Sequence, residues 1–276
     1  MPIYIHMTQK TNPKYYQQIE SYYDSDAEDF DIRYWKNHVL QRIRQDFREE
    51  VKRHQFNNML EIGYGTGLDM VHFAKTHPDV KVAGIDISGE MRNIAHIRAQ
   101  KENLANVRAE KGSVEDLDNL FPGEQFNMVY VFFGALNTVE DLKKAAEILH
   151  QMVSPNGIMV LSFVNKYYLA GMMIELLKLR FRPAFSRLKT VWGGYSPTEF
   201  LPSRCYSPNE IKKLFPQFDL LKRKGYSILH PAWYYHGINR LLRKFSPFIW
   251  KADMLLNKTF AWRYGEYALY VFKKGQ

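Results

Sequence analysis

Two acids and three glycines stand at spacings that suit a small charged ligand: Glu61, then Gly63-Tyr64-Gly65-Thr66-Gly67, then Asp86, 25 residues beyond Glu61. Alternating glycines permit positive φ angles and let the backbone approach a bound molecule with no Cβ in the way. A helix opening near Thr66 would turn free N–H groups and its positive dipole end toward that molecule, favouring a carboxylate or a phosphate. Glu61, two residues before the first glycine, would repel a pyrophosphate and attract a cation. The ligand therefore carries both signs of charge. A dinucleotide fingerprint reads G-x-G-x-x-G, whereas here the third glycine comes one residue early and Leu68 holds the later position. Asp86 closes an apolar run, where a carboxylate can accept hydrogen bonds from both hydroxyls of a ribose.

Regular elements must hold these groups in place. Met59, Leu60 and Ile62 suit a short strand covered on both faces, and Val80 to Asp86 reads as a second. Ser88 then caps a helix with Met91, Ile94, Ala95 and Ile97 on one face. Val107 to Lys111 and Phe126 to Phe132 are the next strands, Leu142 to Leu149 the next helix, Pro155-Asn156-Gly157 a turn and Ile158 to Val164 a fifth strand. This alternation predicts an α/β fold with a doubly wound, mostly parallel sheet. Ahead of it, residues 1–14 read as a loose tail, followed by Tyr15, Tyr16, Tyr22 and Tyr23 and the acidic run from Asp24 to Asp29. From Ile32 to Phe56 the apolar positions Tyr34, Trp35, Val39, Leu40, Ile43, Phe47 and Val51 predict one amphipathic helix. Beyond Val164 the alternation stops until a short helix opening at Ser207-Pro208-Asn209-Glu210 and strands over Phe218 to Tyr226 and Glu266 to Phe272.

The run Glu61-Ile62-Gly63-Tyr64-Gly65-Thr66-Gly67, with Gly84-Ile85-Asp86-Ile87-Ser88 after it, resembles the cofactor motifs of class I S-adenosylmethionine-dependent methyltransferases. The resemblance implies a Rossmann-like seven-stranded sheet whose C-terminal strand is antiparallel, S-adenosyl-L-methionine as donor and S-adenosyl-L-homocysteine as product; no metal is expected, because His72 and His77 have no acidic partner at zincin spacing and His150, His230 and His236 are scattered. By it Glu61, Gly63, Gly65 and Gly67 cradle the donor, Asp86 takes the ribose, and Ile87 and Met91 pack on the adenine. Gly112-Ser113-Val114-Glu115 stands where many members place an acid for the adenine amino group; Ser113 or Glu115, with the Val114 N–H, would serve instead. Tyr22-Tyr23-Asp24 with Phe30 and Arg33 resembles the N-terminal aromatic segment that closes over the cofactor, which makes Tyr23 and Arg33 cofactor contacts. Phe132 falls beside the expected methyl position. The division implied is a single methyltransferase domain over 1–276: helical cap 1–55, cofactor core 56–164, lid insertion 165–205, and C-terminal strands 206–276 with a helical insertion at 231–262.

Composition bounds the acceptor. Residues 163–263 hold 18 Lys and Arg against 5 Asp and Glu, so the net charge of +9 resides in the second half and the remainder is acidic. That half expects an anionic neighbour. Lys178, Arg180, Arg182, Arg187 and Lys189 end an apolar stretch that starts at Tyr167, and Trp233, Tyr234, Tyr235, Arg240, Arg243, Lys244, Phe248 and Trp250 repeat the composition. Such segments suit a lid for a small-molecule or lipid-like acceptor, or peripheral contact with an anionic membrane surface. RNA or protein methylation through the basic half, and a non-catalytic module that only holds S-adenosylmethionine, are the rival readings. Phe132-Phe133-Gly134-Ala135-Leu136-Asn137 lacks the Pro-Pro-aromatic motif of amino-directed DNA methyltransferases, and Cys205 follows no proline, so DNA is disfavoured. Cys205, the single cysteine, excludes an internal disulfide and points to a reducing cytoplasm. No residue is fixed as a catalytic base; Asn137, Tyr195 and His230 are candidates, with Tyr167 and Tyr168 beside them. Titration calorimetry should show binding of S-adenosylmethionine and S-adenosylhomocysteine and none of NAD; tighter binding of NAD would overturn the reading of the glycine turn.

Overall fold

The structure is a computed structural model and describes residues 13–194 and 200–276. Its seven strands are β1 (Asn58–Ile62), β2 (Lys81–Asp86), β3 (Val107–Lys111), β4 (Phe126–Val131), β5 (Val153–Val164), β6 (Phe218–Tyr226) and β7 (Tyr267–Lys274). They form one sheet in the order β3-β2-β1-β4-β5-β7-β6, with β7 alone running against the rest. The helices are α1 (Pro13–Trp35), α2 (His38–Lys52), α3 (Leu68–Thr76), α4 (Gly89–Lys101), α5 (Leu117–Leu120), α6 (Leu142–Met152), α7 (Leu169–Leu177), α8 (Phe181–Ala184), α9 (Pro208–Leu214), α10 (His236–Leu241) and α11 (Ser246–Leu256).

Side chains alternate along the strands, and both faces are apolar. Leu60 and Ile62 of β1 join Leu142, Ala145 and Leu149 of α6 on one side. Met59 joins Ile43 and Phe47 of α2 and Met70 and Phe73 of α3 on the other. A sheet covered on both faces leaves ligands only its edges and the carboxyl ends of its strands.

Several local expectations shift. The single helix foreseen from Ile32 to Phe56 is two, because Asn37 leaves helical geometry at φ −120° and its side chain caps α2 by accepting from Val39 and Leu40 N–H. Trp35, on the far side of that break, is mostly exposed instead of packed. Ile97 faces solvent, so the buried face of α4 is Met91, Ala95 and Ala99. The turn at Pro155-Asn156-Gly157 falls inside β5, as a register irregularity with Asn156 at φ +60°. The loose tail lies largely outside the described residues, and α1 begins at Pro13.

The acidic run after Tyr23 has a structural purpose. Asp24 accepts from Ser88 Oγ and from Glu90 N–H, placing a negative charge at the N-terminus of α4. Asp31 accepts from Thr66 Oγ1 at 2.6 Å and pairs with Arg98. These contacts clamp α1 across the carboxyl ends of β1 and β2.

Phe47, fully buried, packs its ring against Phe132, Phe133 and Tyr226, joining α2 to the loop after β4 and to β6. Phe47→Ala should cost about 3–5 kcal/mol of stability, the range for truncating a core aromatic; thermal unfolding followed by circular dichroism measures it.

Candidate functional site

A cavity of about 250 Å³ opens at the carboxyl ends of β1, β2 and β4. Its floor is the glycine turn. Gly63 and Gly65 stand at φ +72° and +56°, and a Cβ on Gly63 would come 2.4 Å from the Cβ of Ala135. A side chain there is excluded on both counts. Gly67, at φ +77°, does not line the cavity: it caps α3, and Ala95 of α4 fills the space a Cβ would need. It is a packing glycine, and it lets α3 and α4 approach.

Glu61 lines the cavity from the end of β1, with Oε2 accepting from the Tyr130 hydroxyl at 2.9 Å. Burial, and then the nearby Asp69 carboxylate, hold its proton affinity well above the ordinary carboxylate range, while Tyr130, Arg44 and Arg48 pull it down. Asp69 is itself held by Arg44 and by Arg48 Nε at 2.6 Å. Arg44 also lies over the rings of Tyr34 and Phe133.

Asp86 ends β2. Its Oδ2 accepts from Gly65 N–H at 2.8 Å and its Oδ1 from Ser88 N–H at 3.0 Å, which fixes the carboxylate beside the turn. Burial pushes it up to about 6 against the pull of those N–H groups. Ile87, Met91, Ser113, Val114 and Phe132 line the same space. Ser113 Oγ donates to the Asp116 carboxylate, whereas Glu115 Oε1 is taken by the Tyr16 hydroxyl. The roof is α1, through Tyr22, Tyr23, Phe30 and Arg33. Arg33 is a partly committed contact, since Asp26 pairs with its guanidinium and the Phe30 ring lies 5.2 Å beneath it.

The base candidates fare differently. Asn137 is fully buried outside the lining: its Nδ2 donates to Val164 and Arg204 carbonyls and its Oδ1 accepts from Val164 N–H, so the amide braces the end of β5. His230 is buried away from the cavity between the Pro231 carbonyl and Ser246 Oγ, and burial lowers its pKa. Tyr168 is buried with its hydroxyl accepting from Ala232 N–H, and Tyr167 is partly exposed; neither lines the cavity. Tyr195 lies outside the described residues.

Phe133, Trp192, Trp233 and Tyr267 give the same cavity an aromatic chamber wall, in which Arg187 and Glu266 also stand. Arg187, expected at an anionic surface, is buried instead, with Nη2 3.1 Å from the Tyr234 hydroxyl and 3.5 Å from Glu266 Oε1. Phe133, at φ +54°, is held in a region that costs a non-glycine residue about 1–3 kcal/mol, and such strain collects at functional sites. One signal was available for Glu266: in a strand antiparallel to the rest, the first residues arrive at the ligand-binding end.

These elements define a class I methyltransferase fold. The family model described as a methyltransferase domain matches residues 54–246, more than half of the chain, and the chain belongs to that S-adenosylmethionine-dependent family. An uncharacterized protein of Methanocaldococcus jannaschii is 26% identical over 239 residues, covering 85% of this chain and 84% of its own. Among solved structures, the (4+2)-cyclase SpnF superposes with a TM-score of 0.61 at 18% identity, covering 94% of this chain and 96% of its own. An S-adenosylmethionine-dependent methyltransferase from Mesorhizobium loti gives 0.55 at 15%, covering 82% and 96%. At such identities the structural likeness is one of fold.

Asp86 gives the site a pH signature. A carboxylate raised from 3.8 to about 6 on folding stabilises the fold below 3.8, and that contribution is lost as pH rises through about 6. Histidines pushed down by burial, His72 to about 4 among them, work in the opposite sense over the same window, so the informative quantity is a difference. In the ligand-free protein, Asp86→Asn should gain stability relative to the unsubstituted chain as pH goes from about 4 to 7, by on the order of 3 kcal/mol. Parallel unfolding curves at each pH measure it, and a constant difference would mean that Asp86 titrates normally.

Proposed function

We propose that the protein transfers a methyl group from S-adenosylmethionine to an apolar small-molecule or lipid-like acceptor that enters from an anionic membrane surface. The observation that carries this reading is the joining of the glycine-turn cradle and the aromatic chamber in one cavity. The donor supplies a methyl group already activated on a positively charged sulfur. What remains for the protein is placement and exclusion of water.

The residues present suit that donor. Glu61, buried and short of positive charge, attracts its cationic end, and Asp86 receives the ribose hydroxyls. Ile87 and Met91 pack on the adenine, with Ser113 and Val114 at its edge. Tyr23 and Phe30 close from α1, where an aromatic face near a sulfonium contributes about 0.5–2 kcal/mol. Phe132 borders the methyl group.

The membrane part rests on the helices around the chamber. Among the described residues no helix is long and apolar enough to cross a bilayer. Yet Met173, Leu177, Leu179 and Phe181 of the α7–α8 segment are exposed, with Leu177 82% exposed, and so are Leu241, Phe245, Phe248 and Leu255 around α10 and α11. Exposed Arg182, Arg240, Arg243, Lys244 and Lys251 stand among them. Apolar side chains ringed by cations fit an anionic bilayer interface. The two segments are tied together, since Lys178 lies over the Tyr235 ring at 4.8 Å.

Two measurements test the proposal. The protein should sediment with vesicles of phosphatidylglycerol and stay in solution with phosphatidylcholine, and Leu177→Glu with Phe181→Glu should abolish sedimentation while leaving S-adenosylmethionine binding intact. With donor labelled on the methyl group and a lipid extract as acceptor, label should enter the organic phase. Binding without transfer to any lipid or small-molecule fraction would make the protein a binding module.

A further inference from the structure

We propose that Glu266 is the proton acceptor for an uncharged hydroxyl group on the methyl acceptor, taking the proton on Oε2 as the oxygen is methylated. This rests on the methyl-transfer reading above and names the reacting group of the acceptor.

Glu266 immediately precedes β7, whose Tyr267 pairs with Val164 at the carboxyl end of β5. Its backbone is fixed on both sides: the N–H donates to the Tyr226 carbonyl at 2.7 Å, and the carbonyl accepts from Asn165 N–H at 2.8 Å. The side chain is 2% exposed. Oε1 faces Arg187, while Oε2 is buried without any hydrogen-bond partner in a residue that lines the cavity. Buried acceptors are nearly always satisfied, so an unpartnered carboxylate oxygen on a cavity wall points to a donor brought by a ligand.

The charges around Glu266 select the donor. Arg187 already supplies a cation, held by the Asn165 and Glu266 carbonyls and lying over the rings of Trp192 at 4.8 Å and Tyr168 at 5.0 Å. A protonated amine would be repelled by it, and a carboxylate acceptor would meet Glu266 itself. A neutral hydroxyl satisfies Oε2 and adds no charge. Phe133, Trp192, Trp233 and Tyr267 give its carrier a flat apolar bed.

The step balances. A lone pair of the hydroxyl oxygen forms the new C–O bond, the S–CH₃ bond breaks with its electrons staying on sulfur, and the hydroxyl proton passes to Glu266 Oε2. The positive sulfonium and the negative carboxylate both end neutral. Burial pushes Glu266 up to about 7 although Arg187 pulls it down, so the carboxylate becomes ionised, and still basic, as pH rises through neutrality. Arg187 acts as a positioning residue, fixing Oε1 and leaving Oε2 as the unpaired oxygen of the carboxylate.

The test uses the full chain saturated with S-adenosylhomocysteine. Calorimetry of that binding comes first, because failure there overturns the methyltransferase reading and not the role of Glu266. The complex is then titrated with p-cresol, toluene and benzylammonium, followed by tryptophan fluorescence. At pH about 8, p-cresol should bind at least about tenfold tighter than either of the others, since a site built to receive a hydroxyl rejects analogues lacking it. That preference should fade as pH drops through about 7, and Glu266→Gln should keep S-adenosylhomocysteine binding and lose the pH dependence. Should Glu266→Gln fail to fold, the pH dependence of the unsubstituted protein decides. The proposal is overturned by equal or tighter binding of benzylammonium, by p-cresol binding no better than toluene, by a preference that does not change with pH, or by a pH dependence that survives in Glu266→Gln. Label from the methyl donor should appear in ethers; its appearance in methylamines or methyl esters also overturns it.

Discussion

A carboxylate at the end of β1 cannot stay charged in a dry interior without compensation, and much of the surrounding architecture is arranged to supply it. Glu61 is 2% exposed. Tyr130 from β4 donates to it, and Asp69 at the start of α3 adds a second negative charge nearby. Arg44 and Arg48 project from α2, one turn apart, to hold Asp69. Removing one partner of such a buried set is more costly than never having built it. The cluster therefore fixes how α2 and α3 sit against the sheet, and it leaves Glu61 facing the cavity with its charge only partly answered.

The second half of the site depends on chain direction. Parallel strands present their last residues to the ligand edge, and the antiparallel β7 presents its first. Glu266 thereby joins Glu61 and Asp86 at one cavity although it stands just before β7, far along the chain from both. The segments between β5 and β7 bring Arg187, Trp192 and Trp233 to the same place. Opposite them, α1 is fastened by Asp24 and Asp31, and by Tyr15, whose hydroxyl donates to the Thr138 and Pro202 carbonyls. One cavity is thus built from an N-terminal helix, the core and the C-terminal segments.

The charge surplus of the second half is spread less simply than composition implies. Arg187 is consumed inside the fold, and Arg180 lies 3.2 Å from Glu175, which Lys178 also approaches. Arg182, Arg240, Arg243, Lys244 and Lys251 remain exposed among exposed leucines and phenylalanines. A basic sequence is therefore no guarantee of a basic surface. Burial decides which cations a partner meets.

What the sequence determined by itself is local. Glycines at 63, 65 and 67 can only make a turn of that shape, strands with apolar residues on both faces can only lie between helices, and an acid closing the second strand must stand at the sheet's ligand edge. Each follows from a few adjacent residues, so the α/β class, the sheet and the placing of Glu61 and Asp86 at one cavity were legible. The break at Asn37 was missed because the apolar spacing continues across it while a side-chain cap ends one helix and starts another. Asn137 and His230 are no more than base candidates in the sequence, because polar residues beside a strand end can face either way; tertiary structure makes both braces, satisfied by backbone and side-chain partners from distant segments. Arg187 and Glu266, 79 residues apart, acquire meaning only when the antiparallel strand returns to the edge where the α7–α8 segment leaves it. Their pairing is a product of long-range topology, for which no local spacing carries a signal.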